Sequence, residues 1–433
     1  LGVFFLFICT ITFAQQEANN WYFGHNANLN FNTDPPLAAG FGELNTFEGC
    51  STISDNEGNL LFYSDGITVW SSNHQVMRYQ NGSLANDLKG NPSSTQSALV
   101  IPKPNDANIY YLFTVGANQT SGLHFYTIDV SLRGGAGAIT DGPKDLSGAN
   151  SSEWTEKVTA VESADCNAFW VISTDQNNFY AYKVDENGVK TNAVRSSFGG
   201  QINARRGTLK VSPDGKSLVL ANQGDSSFLF DFNDLDGTVS NKRTLALPSL
   251  SGYGVEFSQT SSMLYISTGV HSQNGNQPSD AFIYQFKITD PDISVINSSR
   301  KQIIKELGFR GALQLGINGK IYYARSRSNF LGVINNPDKE GDDSEYIAEG
   351  VRLPGGTTSS EGLPPFIQSF FSPVKILDSA TRTIDLTLQT NEVCEGEVLS
   401  LEPEITGNAG SIYKWTKEEN PTIEINTREI TID

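Results

Sequence analysis

Arg206–Phe232, RGTLKVSPDGKSLVLANQGDSSFLFDF, sets out the unit that the rest of the chain repeats. Three short strands are expected in it: Gly207–Ser212, Ser217–Asn222 and Ser227–Phe232. Apolar residues alternate at Leu209 and Val211 and at Leu218 and Leu220, the spacing of half-buried antiparallel strands. Pro213-Asp214-Gly215 makes the turn between the first two: Pro presets φ and Gly accepts a positive one. One such sheet cannot bury both of its faces, so it requires copies stacked against it.

Six segments carry the pattern: Gly49–Met77, Ser97–Val130, Lys157–Val184, Gly207–Phe232, Gly254–Ile288 and Gly311–Asn335. Each has a strand, a polar turn rich in Gly, Asn, Asp or Ser, and an aromatic-rich strand. After Gly362, LPPFIQSFF reads as an inner strand with no partners behind it, and Trp21–Phe31 reads as partners lacking an inner strand. Joined, the two ends complete one more sheet, and closure removes exposed edges. The expectation is an all-β, seven-bladed β-propeller over residues 19–372, closed by its N- and C-terminal strands. Gly49, Gly207, Gly254, Gly311 and Gly362 each precede an inner strand; a residue without Cβ there lets backbones crowd around an axis, although glycine also serves ordinary turns.

The flanks differ. Residues 2–14, an apolar run ending in small residues, read as the end of a secretory signal peptide whose start lies upstream. The run is too short for an ordinary spanning helix, and no membrane span is expected in the mature chain. Residues 373–382 read as a linker, and 383–433 as a partial immunoglobulin-like or PKD-like sandwich: Cys394 and Trp415 stand as a first Cys and core Trp would, but the second Cys is missing. That domain is expected to be truncated. With Cys9 in the leader, Cys50, Cys166 and Cys394 leave an odd number, and no CxxC occurs.

NWYFGHNANLNF, GNLLFYSDGITVW, EKVTAVESADCNAFWVIST, LKVSPDGKSLVLAN, YGVEFSQTSSMLYIS, LQLGINGKIYYARS, LGVINNPD and GLPPFIQSFF together resemble the N-terminal propeller of exported Bacteroidetes proteins. Many of those proteins continue into immunoglobulin-like or PKD modules and end in a gliding-motility-associated C-terminal domain or a type IX secretion sorting signal. The resemblance covers Asn19 to Phe371 and implies a secreted or outer-surface protein. Asp378-Ser379-Ala380 also resembles that phylum's short O-glycosylation acceptor.

The net charge of -18, from 30 basic and 48 acidic residues, sets the surface against a phosphate backbone, so nucleic acid is not an expected partner. No nucleotide loop, GxSxG or HExxH occurs, and His25, His74, His124 and His271 have no metal-ligand spacing. No metal or cofactor is expected. Ser298 and Lys301 fit S-x-x-K without its companion motifs. Asn233–Gly237 resembles a calcium loop, but Phe232 and Arg243 fall where carboxylates are needed. Asp338–Glu345 is acidic and reads as a solvated loop.

The candidates for function stand where inner strands begin: Glu48, Gln96, Lys157, Arg206, Tyr253, Arg310 and Glu361. A closed ring brings them to one channel mouth, where they can bind sugar hydroxyls, a carboxylate or a peptide, or tie blades together by salt bridges. Arg205, Arg206 and Arg310 suit a carboxylate-bearing ligand. Three functions stay open at this point: an exported binding or adhesion protein with a glycan or surface-protein ligand; a polysaccharide hydrolase or lyase using Glu48 and Glu361; and a scaffold of the gliding or secretion apparatus. The absence of catalytic spacing favours the first.

Overall fold

The computed structural model describes residues 16–372 except 39, 118–121, 165–167 and 270–278, and beyond them the backbone of six short strands. Those strands pair as Val374–Leu377 with Ile384–Leu388, Leu399–Leu401 with Ile430–Ile432, and Trp415–Lys417 with Asn420–Ile425. The leader, Cys166, His271, Asp378-Ser379-Ala380 and Cys394 lie outside the described residues.

The fold is an all-β β-propeller of six blades. Blade 1 holds Ser51–Ser54, Leu60–Ser64 and Val69–Ser71; blade 2 holds Ala98–Lys103, Asp106–Val115, Leu123–Asp129 and Ala138–Asp145. Blade 3 is built on Trp154–Glu162, Ala168–Asp175 and Asn178–Asp185, with Gly188–Val189 and Val194–Ser197 both paired to the third strand. Blade 4 is Leu209–Val211, Ser217–Leu220, Ser227–Phe232 and Val239–Leu245. Blade 5 is Gly252–Phe257, Met263–Thr268, Ser279–Lys287 and Lys301–Gly308. Blade 6 is Leu313–Leu315, Ile321–Tyr323, Phe330–Ile334 and Tyr346–Arg352. Each is an antiparallel meander from the axis outward. In blade 4, Leu209 faces Leu220 and Leu218 faces Phe230, so one alternation serves a whole face. At the turn, the Gly215 N–H bonds the Ser212 carbonyl with φ at +68°.

The cores lie between neighbouring sheets. Trp170, Ile172 and Phe179 of blade 3 pack with Leu218 and Phe230 of blade 4. Val219 and Leu229 on the other face of blade 4 pack with Val255 and Phe257 of blade 5. A fourth strand that the repeat pattern did not announce closes five of the blades. It is the least buried strand of its blade and puts lysines in water, as Lys301 and Lys305 in Lys301–Gly308, which suits an edge protected from pairing with another chain.

The ends meet, but they do not make a seventh blade. Asn20–Phe23 and Ala27–Asn30 form a hairpin wedged between blades 6 and 1: the Trp21 ring lies 5.4 Å from Tyr322, and Tyr22 stacks on Tyr63 at 4.3 Å. Trp21 also meets Phe366 at 5.9 Å. Leu363–Phe371 forms no strand with the hairpin, which corrects both the blade count and the expected closing strand. Pro364 and Pro365 lack the N–H that a ladder needs.

This segment instead runs along the axis. Ala312 N–H donates to the Glu361 carbonyl (2.7 Å), and Glu361 N–H to the Phe47 carbonyl (3.0 Å). Further on, Ile367 bridges Ala160 in parallel and the Ser369 hydroxyl accepts from Glu162 N–H (3.1 Å). Phe366, Ile367 and Gln368 are buried, and Phe370 packs on cores shared by blades 1 and 2, by blades 2 and 3, and by blade 6 with the hairpin.

The fit is tight where the segment enters: a Cβ on Gly362 would lie 1.6 Å from the Glu48 carbonyl oxygen. Gly362→Ala is therefore expected to destabilise by about 1–3 kcal/mol or more. Gly355→Ala, with open space around the new methyl, is expected to stay within about 0.5 kcal/mol. Denaturant unfolding of the two variants checks both values.

Candidate functional site

Glu48 precedes the inner strand of blade 1, Tyr253 lies in that of blade 5, Arg310 precedes that of blade 6, and Glu361 opens the axial segment. The ring brings these four into one buried cluster. Arg310 Nη2 donates to Glu48 Oε1 at 2.5 Å and Nε to Glu361 Oε2 at 2.8 Å. Its Nη1 donates to Gln223 Oε1, and its Cζ lies 4.7 Å from the Tyr253 ring centre. The Tyr253 hydroxyl donates to Glu48 Oε1 at 3.3 Å.

Burial raises the pKa of both carboxyls. Arg310 opposes that rise at each, and the neighbouring Glu361 charge adds to it at Glu48. Two carboxyls facing one guanidinium titrate as a pair. Burial pulls down the Arg310 pKa, but Tyr253, Glu361 and Glu48 together raise it further.

Lys157 sits beside the cluster, fully buried, donating to the carbonyls of Arg205 (2.9 Å) and Arg206 (3.2 Å). Burial lowers its pKa to about 7. Both carbonyls already accept backbone N–H groups, from Glu156 and Gln223. Gln96 spans two blades: its Oε1 accepts from Val158 N–H (3.3 Å) and Leu209 N–H (2.9 Å). Arg205 is spent on the carbonyls of Ser152 and Trp154. Arg206 stands apart, with its side chain exposed at the mouth. Its charge reaches Glu48, Glu156 and Glu361 and counteracts part of the effect of burial on each.

Some of the axial chemistry was not singled out from the sequence. Glu156 accepts from the Thr95 N–H and hydroxyl, both at 3.2 Å. Deeper in, Lys210 Nζ donates to Glu256 Oε2 (2.9 Å) and Gln314 Oε1 (3.0 Å), joining blades 4, 5 and 6. The signal for this layer is the triplets Leu-Lys-Val, Val-Glu-Phe and Leu-Gln-Leu, each with a polar residue between two apolar ones in an inner strand.

The remaining candidates stay separate. His25 pairs with Asn45 and His74 with the Tyr63 hydroxyl. Among the described residues, no three His, Cys, Asp or Glu side chains group as a metal site requires. Asn233–Gly237 closes on itself, and its Asp234 carbonyl accepts from the Trp170 indole at 2.7 Å. In the acidic loop, Glu340 pairs with Lys287 and Lys301, which takes Lys301 away from Ser298.

No family model and no curated protein matches the chain. A candidate 6-phosphogluconolactonase of Bacteroides fragilis is 13% identical over 80% of this chain and 97% of its own, with a TM-score of 0.48. The periplasmic gluconolactonase of Pseudomonas aeruginosa is 13% identical over 77% and 97%, with a TM-score of 0.45. At that distance neither bears on what this chain does. No helix among the described residues is long and apolar enough to cross a membrane.

Two pH windows follow. The folded state holds the Glu48 and Glu361 protons more tightly than the unfolded chain, where each titrates near the ordinary 4.5. Their contribution is full below 4.5 and is lost as pH rises through the raised values. Glu361→Gln should flatten that fall in unfolding free energy, while Arg310→Ala, leaving two buried carboxyls without their cation, should cost about 3–5 kcal/mol at neutral pH. Lys157 works in the opposite direction. Its pKa is about 7 folded against 10.5 ordinarily, so the unfolded chain binds more protons between them and stability rises with pH across that span. Lys157→Met should abolish the rise. Denaturation curves measured at closely spaced pH values, from roughly pH 4 to about pH 10, check both.

Proposed function

We propose that this chain is an exported recognition module that binds a glycan or protein ligand on the propeller face where the inner strands begin, with the chemistry of that face used for holding and not for turnover. The observation that carries it is how the seven mouth residues divide. Glu48, Gln96, Lys157, Tyr253, Arg310 and Glu361 are buried and bonded within the protein, and Arg206 faces solvent. A general acid or base must reach the proton it transfers, and Glu48 and Glu361 are closed off under the ring's own contacts. Arg206 is placed to meet a ligand's carboxylate or hydroxyl. Export rests on the apolar run at residues 2–14, and display on the outer surface rests on the resemblance of the propeller segments.

A glycan array and a surface-protein blot probed with the purified chain test the reading. Saturable binding is expected, weakened by Arg206→Ala, with no release of product from bound polysaccharide. Turnover abolished by Glu48→Gln or Glu361→Gln would overturn it in favour of a hydrolase or lyase.

A further inference from the structure

Beside the mouth, residues 41–47 alternate strictly: Gly42, Leu44 and Thr46 are buried, while Phe41, Glu43, Asn45 and Phe47 face out. Phe41 is 60% exposed and Phe47 37%. The backbone beneath is fixed. Gly42 N–H donates to the Asn26 carbonyl (3.2 Å), Asn26 N–H to that of Leu44 (2.9 Å) and Thr46 N–H to that of Gly24 (2.9 Å). Glu43 N–H donates to the Tyr63 hydroxyl at 3.1 Å. Asn45 Oδ1 is held by the His25 ring, and the Phe47 carbonyl by Glu361 N–H. The row is therefore ordered before any ligand arrives, which lowers the entropy cost of binding.

We propose that Phe41, Glu43, Asn45 and Phe47 form a binding row for a neutral linear glycan chain. This deepens the recognition reading and rests on it. The phenyl rings stack on the C–H faces of sugar rings, and the carboxylate and amide between them take hydroxyl groups. The stretch bends at Glu43 and at Phe47, so it spans less than the roughly 20 Å of a straight strand of that length, room for a few sugar units.

Other occupants fit less well. A stable protein interface buries about 800 Å² per partner around an apolar centre, and here the centre is a carboxylate and an amide. Anionic chains and anionic membrane surfaces meet Glu43 and a net charge of -18.

Titration of the purified chain with laminarin, xyloglucan and galactomannan, and with alginate as the anionic counterpart, tests the proposal. At least one neutral glycan is expected to bind, with Phe41→Ala and Phe47→Ala each weakening it about tenfold, Phe47→Trp retaining it, and alginate not competing. Circular dichroism of each variant against the parent separates loss of a binding ring from loss of the fold. A neutral glycan bound equally well by the Phe41→Ala/Phe47→Ala double variant would overturn this site and leave the recognition reading standing. Binding confined to alginate, or to a protein on the blot, would overturn the neutral-glycan assignment in the same way. Turnover would overturn both.

Discussion

Arg310 joins two carboxyl groups from opposite ends of the repeat array, and that contact makes a row of sheets into a ring. Glu48 enters blade 1 and Glu361 follows blade 6; the guanidinium bonds both. A row of sheets has two outer faces with nothing to cover them. Here the hairpin fills the gap between the terminal blades, and the axial segment joins the inner strands of blades 6, 1 and 3. A buried ion pair adds little stability over apolar packing of the same volume. Its consequence here is discrimination: if the axial segment slips, Arg310 loses one of its two carboxylates, and the backbone of Gly362 no longer fits against Glu48.

The same logic explains why the axis is polar while the cores between the sheets are apolar. Inner strands from several blades converge there, and alternation sends every second side chain inward. Lys210, Glu256 and Gln314 occupy equivalent places in consecutive blades and satisfy one another. Gln96 reaches from the entry to blade 2 across to blades 3 and 4. Each bond crosses between sheets, so the polar layer fixes the relative height of blades whose apolar faces alone would tolerate sliding.

The inner strands were legible because apolar residues packed on a neighbouring sheet alternate with polar residues turned to the axial network, as in Leu209-Lys210-Val211, and the convergence of Glu48, Tyr253, Arg310 and Glu361 followed once a ring was assumed. The outer strands were not. In Val239–Leu245 and Tyr346–Arg352 most side chains meet water, so no apolar period marks them. The blade count failed at LPPFIQSFF, where apolar content suggested a strand and two prolines forbade its hydrogen bonds. What sequence spacing could not distinguish was a mouth residue that faces solvent from one turned inward: Arg205 and Arg206 are neighbours, yet one is committed to carbonyls and the other is exposed.

That distinction governs where function lies on the molecule. Ionisable residues gathered at a channel mouth suggest chemistry, and shifted pKa values strengthen the suggestion. Yet the shifts at Glu48, Glu361 and Lys157 arise first from burial, and the burial is produced by the closing of the ring itself. A group perturbed because the fold has enclosed it is a poor candidate to meet a substrate. The residues left to do so, Arg206 and the row from Phe41 to Phe47, are held by the same closure: Arg206 by its carbonyl on Lys157, Phe47 by its carbonyl on Glu361. On the proposed reading, the buried charges act on a ligand indirectly, by fixing the surface that meets it.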